Sequence, residues 1–482
     1  MTDSSPQVEA PRHHPWRGPV WHGPWALCSK TALALLCFWV LLALLLLIPS
    51  PLRQRLLSAS EEISAAPTAG APALPGLPTG GPAPAAPTER PTPAGAPREE
   101  VEPLQDPGGG LTSFYRALAR TEAKQAITRV LHYGDSLIDL DFISAPVRRA
   151  LQKRFGDAGH GFVLAAKPWS WYNHMDISLF TSGGDCWDHF RLVGKRRRDG
   201  RLGLGCAAIE STRGHCSTRV AMRGIKASRV EVHYLKLPGG GKLQVTVDRT
   251  RVGELDTSAD GKRSGFATFK VADAPHTVRL TSAGRVRVFG VVLERGRYGV
   301  TWDNLPLVSA RFNQLIRLDQ DHWAEQLRHR RPDLVVFQFG ANDTISFGGS
   351  IDRYGKQVLR ALKLVRRTLP ESSCLIIGPL DRLARNAGGQ LRSPAVVRTV
   401  ANKQRQVALA AGCAFWDGQK AMGGPGSMKR WLERGLVLKD MVHLNARGSN
   451  VMGDILERAL MAGYRRFGRR DRDGRAGVNK GR

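Results

Sequence analysis

The sequence predicts an α/β protein: a doubly wound parallel sheet with an antiparallel β-sandwich inserted into it, preceded by one transmembrane helix and a Pro/Ala-rich linker. Three observations carry this. Continuous apolar runs at 127–133, 334–339, 375–377 and 414–416 alternate with amphipathic helical patterns, as strands buried on both faces do. The interval between Phe155 and Asp333 is far longer than the roughly 30 residues a βαβ unit needs, and it holds short period-two segments. Finally, Thr31 to Ile48 carries no charge.

At the N-terminus, that charge-free run would extend about 27 Å as a helix, close to the ~30 Å hydrocarbon core of a bilayer. A cleaved signal peptide fits less well, because such peptides have a short n-region and an apolar stretch of about 7–15 residues, whereas 30 residues precede this run. Residues 1–30 are therefore expected to be a cytoplasmic tail and 31–49 a single membrane anchor. Arg12, Arg17 and Lys30 before the span, against Arg53 and Arg55 after it, weakly favour the N-terminus inside. From about Ser58 to Gly110 the composition collapses to Ala, Pro, Gly and Thr and cannot bury a core, so residues 50–110 are expected to form a disordered tether. The stretch from Ser58 reaches roughly 40 Å as flexible coil and at most about 160 Å as polyproline II.

The expected folded domain, 111–465, opens with a helical pattern around Phe114 and Leu118. A strand over 127–133 and a helix over 142–155 follow. After the insertion come a strand at 334–339, a helix at 351–369, a strand at 375–377, a helix at 396–411, a strand at 414–416 and a closing helix from about 445 to 466. Within 180–296, segments such as Arg229 to Tyr234, Lys242 to Val247 and His276 to Leu280 alternate polar and apolar residues across glycine-rich turns, the mark of an antiparallel sandwich. The arginine-rich end, 466–482, is expected to be a disordered basic tail.

Lys and Arg number 71 against 42 Asp and Glu, a net charge of +29. Such an excess suits nucleic acid, anionic lipid or an acidic polymer, and export past the anchor would leave nucleic acid out of reach. Export would also permit disulfides among Cys186, Cys206, Cys216, Cys374 and Cys413. Cys374 and Cys413 each precede a strand-like run and are a candidate pair. An odd count leaves at least one thiol unpaired.

The chemistry is carried by three separated blocks. Gly134-Asp135-Ser136 ends the first strand, Gly340-Ala341-Asn342-Asp343 follows a later one, and Asp440-Met441-Val442-His443 precedes the closing helix. Sites in open α/β sheets form outside the carboxyl ends of the strands, where the first two blocks fall. Acyl transfer by serine needs a nucleophile, a base, a group orienting the base and donors for the oxyanion. Ser136, His443 and Asp440 fill the first three roles, and the Ser136 N–H with the Asn342 amide can supply the fourth. No metal or other cofactor is required. Gly134, Asp135, Gly340 and Asp343 are expected to support the site.

With these three blocks in this order, the chain resembles the SGNH, or GDSL-type, hydrolase superfamily, whose three-layer sheet is flavodoxin-like. A Gly-x-Ser-x-Gly elbow is missing around Ser136, unlike an ordinary α/β-hydrolase. The resemblance implies Ser136 as nucleophile, Asp440 and His443 as the remaining dyad, and Asn342 as an oxyanion donor. It also assigns a donor to the block Gly299 to Ala310, where Ser309 stands in place of the usual glycine. Members with an inserted sandwich resemble periplasmic peptidoglycan O-acetylesterases, whose insert is similar to carbohydrate-binding modules. The implied activity is removal of O-acyl, most simply O-acetyl, groups from an extracytoplasmic polysaccharide. An O-acetyltransferase on the same residues and a non-catalytic wall-binding protein are the alternatives; oligomeric state is left open.

Other clusters have plainer readings. Cys186, His189, Cys206, His215 and Cys216 lack zinc-ligand spacing. Trp169, Trp171 and Tyr172 form either a sugar-stacking platform or, the favoured reading, packing at the junction of insert and sheet.

Overall fold

The computed structural model describes residues 102–479 except 183–185, 212–213 and 346. The apolar run 31–48 and most of the tether lie outside these residues. Among the described ones, no helix is long and apolar enough to cross a membrane.

The chain enters with residues 102–110, which belong to the fold rather than to the tether. Leu104 is buried, and Gln105 bridges antiparallel to Phe415. The Trp416 indole donates to the Glu102 carbonyl at 2.9 Å, and the Asp106 carboxylate accepts from Gly110 N–H at 2.5 Å. The reason is that an edge strand presents unpaired backbone groups that need covering, a demand that composition alone does not reveal.

Helix α1 (Thr112–Glu122) turns Phe114 and Leu118 inward and leads to β1 (Ile127–Gly134), α2 (Ser144–Phe155) and β2 (Gly159–Leu164). The insert follows as β3 (Ile177–Thr181), β4 (Trp187–Arg191), β5 (Ala207–Ser211), β6 (Ser217–Met222), β7 (Ala227–Lys236), β8 (Lys242–Val247), β9 (Thr250–Asp256), β10 (Arg263–Ala274), β11 (Thr277–Ala283) and β12 (Val286–Glu294). The chain returns through β13 (Gly299–Pro306), α3 (Gln320–Arg330), β14 (Leu334–Gln338), α4 (Ala341–Ile345), α5 (Ile351–Thr368) and β15 (Ser373–Ile377). It ends with the two-residue strands β16 (Ala384–Arg385) and β17 (Leu391–Arg392), then α6 (Ala395–Ala410), β18 (Ala414–Trp416), α7 (Gly418–Ala421), α8 (Ser427–Glu433) and α9 (Ala446–Asn479).

Strands pair in parallel in the order β13-β1-β14-β15-β18. Numbered by appearance within this sheet, that is 2-1-3-4-5, the flavodoxin-like order, whose switch point falls between β1 and β14. Side chains alternate between the two faces. Val130, Leu334, Val336 and Leu375 face one core with α1, α2 and α9, while Leu131, Val335, Phe337 and Ile376 face the other with α3, α5 and α6.

The insert is two antiparallel sheets, β10-β7-β12-β5-β4 with β2 also beside β12, and β3-β6-β11-β8-β9, closed over a Val- and Leu-rich core. Its sheets start at Gly159, earlier than the alternation suggested, because β2 is buried on both faces and shows no period of two. The insert is tied to the parallel sheet by Glu294, the buried last residue of β12. Glu294 accepts from Arg129 at 2.9 and 3.0 Å and also pairs with Arg229 and Arg330, while Arg330 reaches Asp303 at 2.7 Å.

Cys374 is bonded to Cys413, and Cys186 to Cys216; Cys206 is a buried thiol. Closing a loop of 39 residues between Cys374 and Cys413 stabilises the fold by about 4 kcal/mol in the chain-entropy account. The expected disordered tail is corrected by α9, which continues to Asn479; no proline interrupts 466–479 to stop it.

Because 102–110 cover the β18 edge, a chain starting at Leu111 should melt at a lower temperature than one starting at Pro97, as read by circular dichroism. Equal melting temperatures would show that this segment contributes nothing.

Candidate active site

The site forms where β1 and β14 end side by side. Gly134 pairs with Gln338 in the parallel register, and a Cβ at 134 would lie 2.8 Å from the Gln338 carbonyl oxygen, so only glycine fits between the two chains. Asp135 then turns inward and is fully buried. Its carboxylate accepts the N–H groups of Leu137 at 3.0 Å, Gly340 at 3.0 Å and Ala341 at 2.9 Å, binding the two strand ends together. Burial raises its carboxyl against the lowering effect of these donors. Gly340 at φ +156° packs against Pro379, with no room for a side chain.

Ser136 begins a 3-10 stretch, Ser136–Asp141, in which Leu140 (φ 66°) and Asp141 (φ 63°) are both left-handed. Two such residues in succession are strained and must be held. Arg148 clamps Asp141 with bonds of 3.1 and 2.8 Å, and His174 lies 3.2 Å away; together they outweigh burial and hold this carboxyl well below the usual range. Asn304 on β13 donates to the Ile138 carbonyl at 3.1 Å and fixes the stretch from the other side.

The Asp-x-x-His spacing has a direct physical basis. One Asp440 oxygen accepts the backbone N–H groups of Val442 at 3.0 Å and His443 at 2.9 Å, closing a turn through left-handed Met441, while the other oxygen meets His443 Nδ1 at 2.7 Å. Burial alone would raise the Asp440 carboxyl, but these bonds keep it below its ordinary value. His443 Nε2 lies 2.7 Å from Ser136 Oγ. Since Nδ1–H donates to the carboxylate, Nε2 is left to accept the serine proton. Asp440 remains 47% and His443 32% exposed, so the line opens to solvent.

On the opposite side, the Asn342 amide donates to the Ala310 carbonyl at 3.2 Å, which leaves its second N–H for another acceptor. Ala310 N–H closes a β-turn onto the Leu307 carbonyl at 2.9 Å, and Ser309, its third residue, has φ 64°. That position demands a left-handed residue, which glycine supplies at least cost and serine occupies here. Asp343 is buried and accepts from Phe312 N–H at 3.2 Å. Burial and then neighbouring Asp135 push its carboxyl up to about 7.

No sequence pattern marks Asp139, which is buried in the same stretch as Ser136, accepts the Trp169 indole N–H at 3.1 Å and is pushed by burial up to about 6. Trp169 and Tyr172 pack the junction, as favoured from sequence, but Trp171 does not. Of the cysteine and histidine residues considered for metal, Cys186 and Cys216 are consumed by their disulfide. Two other groups place three ligand-type side chains together: Asp141, His160 and His174, where Arg148 already occupies the carboxylate, and Glu231, His233 and His329, which are linked by bonds of 2.7 and 2.9 Å.

A flavodoxin-like sheet with a serine, imidazole and carboxylate in line at its switch point defines a serine ester hydrolase of the SGNH class. Residues 279–451 match the model of the GDSL-like lipase/acylhydrolase family, and the chain carries that domain. The match contains Asn342, Asp440 and His443 but not Ser136, because the sandwich separates the nucleophile block from the rest. A solved peptidoglycan O-acetylesterase is similar over 75% of this chain and 99% of its own, at 26% identity and TM-score 0.64. More distant are a salicylyl-acyltransferase, with 12% identity over 60% of this chain and 98% of its own at TM-score 0.27, and a family two carbohydrate esterase from Clostridium thermocellum, with 10% identity over 60% and 100% at TM-score 0.25. No curated protein sequence matches the chain.

Asp343 binds its proton more tightly in the folded chain than its ordinary value of 3.8 allows when unfolded. Its stabilising contribution is therefore complete below about pH 4 and lost as pH rises through about 7. Asp343→Asn keeps an acceptor for Phe312 N–H without titrating, so its stability relative to the parent should increase between about pH 4 and pH 8 in denaturant melts. Parallel pH profiles for the two chains would refute this.

Proposed function

We propose that this serine esterase removes O-acetyl groups from an extracytoplasmic polysaccharide such as peptidoglycan. The observation that carries the reading is the line Ser136 Oγ, His443 Nε2, His443 Nδ1, Asp440 Oδ2, with both hydrogen bonds at 2.7 Å. Its open setting suits an ester borne on a polymer, and the likeness to a solved peptidoglycan O-acetylesterase supports the substrate class.

Ser136 Oγ attacks the acetyl carbonyl carbon as its proton passes to His443 Nε2. Negative charge develops on the former carbonyl oxygen, where the Ser136 and Ser309 N–H groups and the second Asn342 amide N–H donate. Collapse breaks the bond to the sugar oxygen, which leaves with the proton from Nε2, and acetyl-Ser136 remains. Water then gives a proton to His443 and attacks the acyl carbon; acetate departs and Ser136 recovers its hydrogen. Asp440, kept ionised, stabilises the imidazolium in both halves.

The same proposal places the catalytic unit outside the cytoplasm, in the periplasm, on the anchor at 31–49. Two disulfides support an oxidising compartment, and the charge-free run Thr31 to Ile48 supplies a span of suitable length.

On a small acetyl ester, the full chain should turn over, while Ser136→Ala and His443→Ala should each lose roughly a thousandfold or more in kcat. Equal rates in all three would end the esterase mechanism at this site. Asn342→Ala should lower kcat by about 100- to 1,000-fold, as loss of one oxyanion donor does; a change confined to KM would remove it from that role.

A further inference from the structure

Among the described residues, five large hydrophobic side chains stand exposed: Trp171, Phe180, Tyr298, Ile345 and Leu438. Phe180 and Tyr298 carry cations over their rings, Arg219 at 4.7 Å and Lys124 at 5.8 Å. The other three each ride on a segment that carries a site residue or is tied to one.

Trp171 is held beside the nucleophile turn by its neighbours. Trp169 donates its indole N–H to Asp139, three residues beyond Ser136, and Tyr172 N–H returns to the Trp169 carbonyl at 3.1 Å. Trp169 and Tyr172 are buried while Trp171 is 58% exposed, so junction packing does not account for it. Ile345 ends α4, one helical turn beyond Asn342. Leu438 donates its backbone N–H to the His443 carbonyl at 2.8 Å, which ties it to the turn that carries the imidazole. Single exposed apolar side chains are ordinary, but three on the segments tied to the nucleophile turn, the Asn342 amide and the dyad point to a binding surface.

We propose that Trp171, with Ile345 and Leu438, forms an apolar rim that docks the C–H face of a sugar ring in the polysaccharide bearing the ester. The proposal rests on the esterase reading above. An acetyl group offers little surface to grip, so binding energy must come from the alcohol side of the ester, remote from the bond that breaks. A pyranose presents an apolar face to an indole while its hydroxyls stay in water. The half-exposed Asp440 and open His443 leave space for a chain to lie across the site.

The test compares kcat/KM on O-acetylated peptidoglycan with kcat/KM on 4-nitrophenyl acetate, using the full chain and its Trp171→Ala and Trp171→Phe variants. The ratio of polymer to small ester should fall about tenfold in Trp171→Ala, equivalent to about 1.4 kcal/mol, and by less in Trp171→Phe, which keeps a ring face. A ratio that stays constant, whether both rates fall or neither does, overturns the rim. So does a preference for 4-nitrophenyl octanoate over acetate that disappears in Trp171→Ala, which assigns the surface to an acyl chain. A parent dimer that Trp171→Ala dissociates in sedimentation assigns it instead to a second copy. Titrating glycan fragments into Ser136→Ala and Ser136→Ala/Trp171→Ala judges the rim without turnover: about tenfold weaker binding in the double variant supports it, and equal binding overturns it. Absence of small-ester turnover by the parent chain would sink the esterase reading alone.

Discussion

The buried carboxylate of Asp135 accepts three backbone N–H groups, one from its own turn and two from the start of the segment after β14. An ionised group taken out of water is costly unless its acceptor sites are filled, and here the filling groups are the ends of two neighbouring parallel strands. The reactive parts of the site hang from that junction. Ser136 is the next residue on one side and Asn342 lies two residues past Gly340 on the other, so any shift in strand register would separate nucleophile from amide. Gly134 and Gly340 are the counterpart of this constraint, since a Cβ at 134 would push the end of β1 off Gln338 and one at 340 would push the end of β14 off Pro379.

Around this fixed point the remaining pieces differ in rigidity. The nucleophile turn is locked by Arg148, Asp141 and Asn304, buried groups that hold two left-handed residues in place. The dyad sits on a short turn whose main internal support is Asp440 itself, which both shapes the backbone and orients the imidazole. Its partial exposure follows from that construction, because a self-supporting turn does not need a covering element. The insert, in turn, is fastened to the parallel sheet by ion pairs on buried Glu294 and by aromatic packing at Trp169 and Tyr172, and the Trp169 bond to Asp139 ties the loop carrying Trp171 to the nucleophile turn.

Much of this was legible beforehand. Apolar runs and helical periods mark every strand of the parallel sheet except β13, whose buried Asp303 and Asn304 break the apolar pattern for the sake of ion pairing and turn anchoring. The disulfide between Cys374 and Cys413 joins the candidate pair the sequence offers, since each precedes a strand-like run, whereas Cys186 and Cys216 are joined only through the pairing of the insert. The docking of residues 102–110 and the length of α9 are not legible in the sequence, because edge protection and helix continuation depend on neighbours that local composition does not name.

The sequence by itself determined the chemistry available: a serine at a strand end, an Asp-x-x-His turn whose spacing is set by local hydrogen bonding, and glycines where no side chain fits. These are short-range properties, governed by backbone geometry within a few residues. Tertiary structure alone decided convergence, since Ser136 and His443 are 307 positions apart along the chain and only sheet order places them 2.7 Å apart. It also decided which aromatic residues are buried and which stand exposed, because burial depends on what packs across the junction and not on the identity of the side chain.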